Sequence, residues 1–156
     1  MLDDLKGLFK NGNFIGQIIL INAVVFLLEN IISNFSPAAE HEILRWFAMH
    51  SLLPSVITSP WSMVTYMFMH ASFGHVLWNM YILYFFGRIV NDMVGKERLV
   101  GLYFLGGIAG ALFYVIAYTL QVLWVQDVPN IPLVGASAAI MAVVAFSGLR
   151  FGDYQI

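Results

Sequence analysis

Four apolar stretches organise this chain, at residues 14–35, 73–94, 99–125 and 137–150. Each approaches the ~20 residues a helix needs to cross the hydrocarbon core of a bilayer. They predict four membrane helices. Between the first two, residues 36–72 form a connection too long for a simple turn, and such connections are usually structured or functional. Within it, residues 41–53 carry Ile43, Leu44, Trp46, Phe47, Met49, Leu52 and Leu53. That run is too short to span. It reads as a helix lying in the outer interface, or equally as an apolar loop packed on its neighbours. Residues 1–13 are a short polar lead, and 14–156 form one membrane domain. No repeat or second domain is visible.

Composition agrees with the pattern. Hydrophobic residues make up 60% of the chain and charged residues 10%, against about 25% charged in soluble domains. The expected class is an all-α, polytopic helical bundle in a lipid bilayer. A net charge of −2 gives no nucleic-acid footprint. With no cysteine there is no thiolate metal site, and redox compartment cannot be inferred.

The few cations set an orientation. Lys6, Lys10, Arg88, Lys96, Arg98 and Arg150 fall on one side of a four-span arrangement, and only Arg45 falls on the other. The positive-inside rule then puts the N-terminus and the 94–98 turn in the cytoplasm, with residues 36–72 and 126–134 outside. A plasma (inner) membrane is the expected location. Basic residues before an apolar run also fit a signal peptide, with Ser36-Pro37-Ala38 a weak cleavage match. The charge pattern is better served with the first helix retained.

Polar groups inside an apolar segment are costly, so their positions carry information. His75 and Asn79 are four apart, on one helix face, and both can donate hydrogen bonds while neutral. Ser137 lies in Gly135-Ala136-Ser137-Ala138, a small-residue turn opening the last helix, where the dipole and free N–H groups favour a developing anion. His75 precedes Arg88, and Ser137 precedes Arg150, by the same thirteen residues. At about 1.5 Å per residue both stand about 20 Å above the cytoplasmic boundary of an about 30 Å core. Ser137, His75 and Asn79 should therefore meet below the outer surface. The last helix is too short to span alone, so the segment before it, with Pro129 and Pro132, should dip inward, below a wet cavity opening over Ser137. Each residue also has a plainer reading: Ser137 as a helix cap, His75 and Asn79 as a tie between helices, Gly106-x-x-x-Gly110 as a packing seam. Glu29 and Asn22 fit an ion pathway, although Glu29 is expected to snorkel to the outer end. His70 and His75 alone, without a placed carboxylate, make a poor metal site, and no metal is expected.

The pattern His70-x-x-x-x-His75-x-x-x-Asn79 followed by Gly135-x-Ser137 resembles the rhomboid family of intramembrane serine proteases. Thr65-Tyr66-Met67-Phe68-Met69-His70 through Phe86-Gly87, and Leu102-Tyr103-Phe104-Leu105-Gly106-Gly107, extend the likeness over about Trp61 to Arg150. The resemblance implies six transmembrane helices, of which four are present here. It implies cleavage of transmembrane protein substrates without a cofactor, Ser137 as nucleophile, and His75 and Asn79 with the Ser137 N–H as oxyanion donors. His70 and Gly135 take structural places near the site, and 36–72 becomes the membrane-embedded first loop. Two residues depart from the family pattern: Ala138 where glycine usually follows the nucleophile, and Ser62 where arginine usually follows the tryptophan. The family's base is a histidine on the sixth helix, in an Ala-His-x-x-Gly setting, and no histidine follows Ser137. The chain therefore reads as the first four helices of a six-helix enzyme, inactive by itself. The alternative is a non-catalytic relative that binds transmembrane helices in the same cleft. The oligomeric state is not legible.

Overall fold

A computed structural model describes residues 13–125, 128 and 131–151; the polar lead up to residue 12, with Lys6 and Lys10, and residues 152–156 lie outside the described residues. Helix α1, Phe14–Phe35, starts where the Asn13 side chain accepts a hydrogen bond from the Gly16 N–H at 3.1 Å. It buries one stripe, Phe14, Ile15, Ile18 and Asn22, and leaves the rest of its apolar surface outward. Helix α2, Pro37–Phe47, follows at once. Ser36 caps it through the Ala39 N–H at 3.3 Å, Pro37 sits in its first turn, and Glu40 and Arg45 complement its dipole.

The helix expected over 41–53 is therefore displaced toward the N-terminus. Ser36-Pro37 works as a helix start, and the chain leaves the helix before His50, whose Nε2 donates to the Leu44 and Arg45 carbonyls at 3.3 and 3.2 Å. Two short helices, α3 (Leu53–Thr58) and α4 (Ser62–Thr65), and a 3-10 turn at Tyr66–Phe68 complete the connection.

Helix α5, Phe73–Val94, is capped by Ser72, whose hydroxyl accepts from the His75 N–H at 3.2 Å. It ends at Gly95, where φ of +87° allows the chain to turn into α6, Lys96–Trp124. The last helix, α7, runs Ser137–Phe151. The apolar runs thus coincide with α1, α5 and α7. Helix α6 begins three residues before its apolar run because Lys96, Glu97 and Arg98 are good helix formers.

Helix α7 is the centre of the bundle. Ala136, Ala139, Ile140, Val143 and Ser147 are buried against α5 and α6. A Cβ added at Gly106 would lie 2.3 Å from the Ala142 Cβ, and one at Gly110 2.4 Å from the Ala138 Cβ. The glycine seam is a close-packed interface between α6 and α7. Helices α1 and α6 are long and apolar enough to cross a membrane, and the 15 residues of α7 are too few. Leu105, Phe113, Ile116 and Leu120 point out of α6. An apolar surface of that extent suits lipid.

Candidate functional site

The segment leading into α7 has no helix or sheet of its own, so its backbone polar groups need partners elsewhere. The first loop and α6 supply them. Met49 and Leu133 exchange two hydrogen bonds, Met49 N–H to Leu133 O at 3.1 Å and Leu133 N–H to Met49 O at 2.8 Å. The Gly135 N–H donates to the Tyr66 carbonyl at 2.9 Å. Tyr66 is fixed in turn, its hydroxyl donating to the Gly107 carbonyl at 2.7 Å. Further back, the Tyr118 hydroxyl donates to Val128 O at 2.9 Å, and that of Tyr114 to Ile131 O. These anchors hold residues 128 and 131–135 against the first loop and α6. In the sequence Met49 and Tyr66 stand only within longer runs, and neither they nor Tyr114 is given a role at the site. Their contributions pass largely through backbone groups or through long-range contacts, which leave no local signature.

At Gly135 the chain must turn sharply and pass close to α5. Its φ is +116°, and an added Cβ would lie 2.6 Å from His75 Cε1 and 2.7 Å from His75 Nε2. Glycine is required twice, for conformation and for space. Asn79 Nδ2 lies 3.7 Å from the same point. The turn therefore rests on the His75 and Asn79 side chains. Ser137, the first residue of α7, follows two residues later and is exposed.

His70 closes the group from behind. It is 5% exposed, and its Nε2 lies 3.0 Å from Asn79 Nδ2 and 3.5 Å from the Ala136 backbone nitrogen. Its ring meets that of His75 edge-on at 5.0 Å. Burial, then the neighbouring His75, push the His70 imidazole down to about 4, against the pull of the Phe68 carbonyl. It is neutral at physiological pH, with Nε2 engaged by Asn79 and Ala136 rather than turned toward an ion. Glu29 does not snorkel free of the protein. It is half-buried, one carboxylate oxygen is sealed without a hydrogen-bond partner, and the His70 backbone N–H faces it. A cavity of about 290 Å³ lies there, between Glu29, Glu40, Leu44, His70 and Val134. It lies beside the Ser137 turn, lined by Pro132 and Val134 on one side and by Glu40, Ile43 and Leu44 of α2 on another, and Ser137 does not line it.

The sequence model of the Rhomboid domain matches residues 58–153, which takes in the whole of this constellation. The chain belongs to the rhomboid family. RHOMBOID-like protein 12, mitochondrial, of Arabidopsis thaliana is 33% identical over 154 residues, covering 90% of this chain and 42% of that protein. Presenilin-associated rhomboid-like protein, mitochondrial, of Mus musculus is 31% identical over 128 residues, covering 82% of this chain and 30% of that protein. The chain spans less than half the length of these relatives. Both carry a mitochondrial address in their names, where the charge pattern had suggested a plasma membrane.

The two departures from the rhomboid pattern have structural counterparts. Ala138 places its methyl group against Gly110, which has no side chain to displace. Ser62 is 2% exposed and its hydroxyl turns to the Met49 sulfur at 3.5 Å. In this rhomboid the first loop is tied by other donors. Trp61 Nε1 donates to the Trp46 carbonyl at 2.8 Å, and the Thr65 hydroxyl to the Phe47 carbonyl at 2.7 Å. These bonds also satisfy the last carbonyls of α2, and the Trp46 and Trp61 rings stack at 6.0 Å.

Proposed function

We propose that this rhomboid domain is the nucleophile-bearing part of an intramembrane serine endopeptidase whose substrates are transmembrane segments of other proteins. The observation that carries this reading is the convergence of His75, Asn79 and the Gly135 turn at the start of α7. Ser137 attacks the scissile carbonyl. The oxygen that becomes negative is met by the Asn79 amide, the His75 ring and the Ser137 N–H, donors set in place before the reaction and reinforced by the helix dipole. No cofactor is needed for that chemistry.

Ser137 still needs a base. Among the described histidines, His70 is engaged with Asn79 and Ala136, His75 packs on His70 and the Gly135 turn, and His50 caps α2. We assign the base to a histidine on a further helix packed against the uncovered side of α7. Ser137, Met141, Ala145, Gly148 and Leu149 form one exposed stripe there. The arrangement of Lys and Arg supports a cytoplasmic N-terminus in an inner membrane, with Ser137 toward the opposite side. A serine-directed fluorophosphonate tests the reading. A form of the protein carrying the additional helices should be labelled at Ser137, and Ser137→Ala should abolish the label. The 156-residue chain should stay unlabelled. Label that survives in the alanine variant overturns the nucleophile assignment. No label in any form, with retained binding of transmembrane peptides, favours the non-catalytic alternative.

A further inference from the structure

His70 is buried behind the site and contacts the side chains of two groups that build the oxyanion hole, the Asn79 amide and the His75 ring. Its Nε2 faces two nitrogens at once, Asn79 Nδ2 at 3.0 Å and the Ala136 N at 3.5 Å. The Ala136 nitrogen is a backbone amide and can only donate. A ring nitrogen that faces it must present a lone pair, so the proton of the neutral ring belongs on Nδ1. The Phe68 carbonyl favours a proton on the ring, and with Nε2 taken as acceptor the sealed Nδ1 is the nitrogen left to carry it.

The Asn79 amide follows from this. Its two ends differ only in hydrogen-bonding character, and a flip would set Oδ1 against the Nε2 lone pair. With Nε2 as acceptor, the amide is locked with Nδ2 toward His70. One hydrogen of that NH₂ group is used there and the second is left for the Gly135 turn, from which Nδ2 is only 3.7 Å away measured to a glycine Cβ position. We infer that His70 is a positioning residue, which passes the polarity of the Ala136 N–H through a fixed Nδ1–H tautomer to the Asn79 amide and so makes Asn79 an obligate donor to the oxyanion. The inference rests on the proteolytic reading for its purpose, and on hydrogen-bond polarity alone for its geometry.

The tautomer can be observed without any turnover. The 156-residue chain, labelled with ¹⁵N-histidine in detergent micelles at neutral pH, should show His70 with Nδ1 protonated and Nε2 bare. In Asn79→Asp, an acceptor replaces the NH₂ group. His70 should then gain a proton on Nε2 and titrate about 1–3 pH units higher, as beside any opposite charge. Asn79→Ala, which keeps the Ala136 contact, should retain the wild-type tautomer. A wild-type ring protonated at Nε2, or an Asn79→Asp variant with an unchanged His70 spectrum and titration, overturns the inference. Failure of Ser137 to react with fluorophosphonate in any form bears on the proteolytic reading and leaves this tautomer measurement standing, so the two can fail separately.

Discussion

At the scale of single residues, the site is decided by what each position excludes. Gly135 excludes a side chain, since φ is +116° and the His75 ring occupies the space a methyl group would need. Gly135→Ala should destabilise the fold by about 1–3 kcal/mol through overpacking alone, with backbone strain in addition. It should also displace His75, so resistance to unfolding in mixed micelles, and Ser137 labelling in a form bearing the further helices, should both fall. Normal labelling would show that the turn relaxes freely. His70 excludes charge. Its folded value of about 4 lies below its ordinary 6.5, so between those pH values the unfolded chain binds the proton and the folded one does not. The His70 contribution is complete above about pH 6.5 and declines as pH falls toward 4, by on the order of 3 kcal/mol over the whole window. The groups facing it are the His75 ring and, across the backbone, the Glu29 carboxylate. Denaturation followed by circular dichroism at pH 4.5 and 7.5 should show a greater loss toward acid in the wild type than in His70→Gln, a difference that separates His70 from the neighbouring Glu29 carboxyl. Equal pH dependence in the two proteins removes His70 as the cause. His75, Asn79 and Gly135 could be read from the sequence because helical spacing and a small-residue turn are local signals. The His70 contact to Ala136 spans 66 positions, and no local pattern encodes it.

Between elements, the α6–α7 seam holds Ser137's helix in place. Gly110 and Ala138 face each other so closely that only one of them can carry a methyl group. Gly110→Ala should therefore cost about 1–3 kcal/mol, and adding Ala138→Gly should restore most of it. That restoration is the non-additivity expected of residues in contact. A double-mutant cycle on unfolding free energy checks it, and simple additivity of the two changes would mean that the helices move apart instead. The seam was visible in advance as Gly106-x-x-x-Gly110, and the limits of α1, α5 and α7 followed from the apolar runs. Helix α2 was displaced in the sequence reading because the apolar residues Trp46 to Leu53 outweighed a better signal, Ser36-Pro37 with Glu40 in the first turn. The capping geometry sets its start, and the apolar residues beyond it serve the loop.

For the molecule as a whole, the bundle is one-sided. Helix α7 buries Ala139, Ile140 and Val143 completely or nearly so, while Ser137, Met141, Ala145 and Gly148 lie exposed along its other side. The proposed nucleophile, at the head of that stripe, is placed for a partner helix that approaches along it. A bulky residue on it should separate two properties that usually fall together. Ala145→Trp adds its ring to a surface that none of the described residues covers, so the unfolding free energy of the 156-residue chain should change by no more than about 0.5 kcal/mol. In a form bearing the base helix, the same ring should hold that helix off α7 and abolish fluorophosphonate labelling of Ser137. Ala139→Trp, placed at the fully buried face, should instead unfold the domain and serves as the contrast. Stability loss in Ala145→Trp would mean that the stripe is covered within this chain. Unimpaired labelling would mean that the base reaches Ser137 from another side, across the mouth formed by α5 and the first loop.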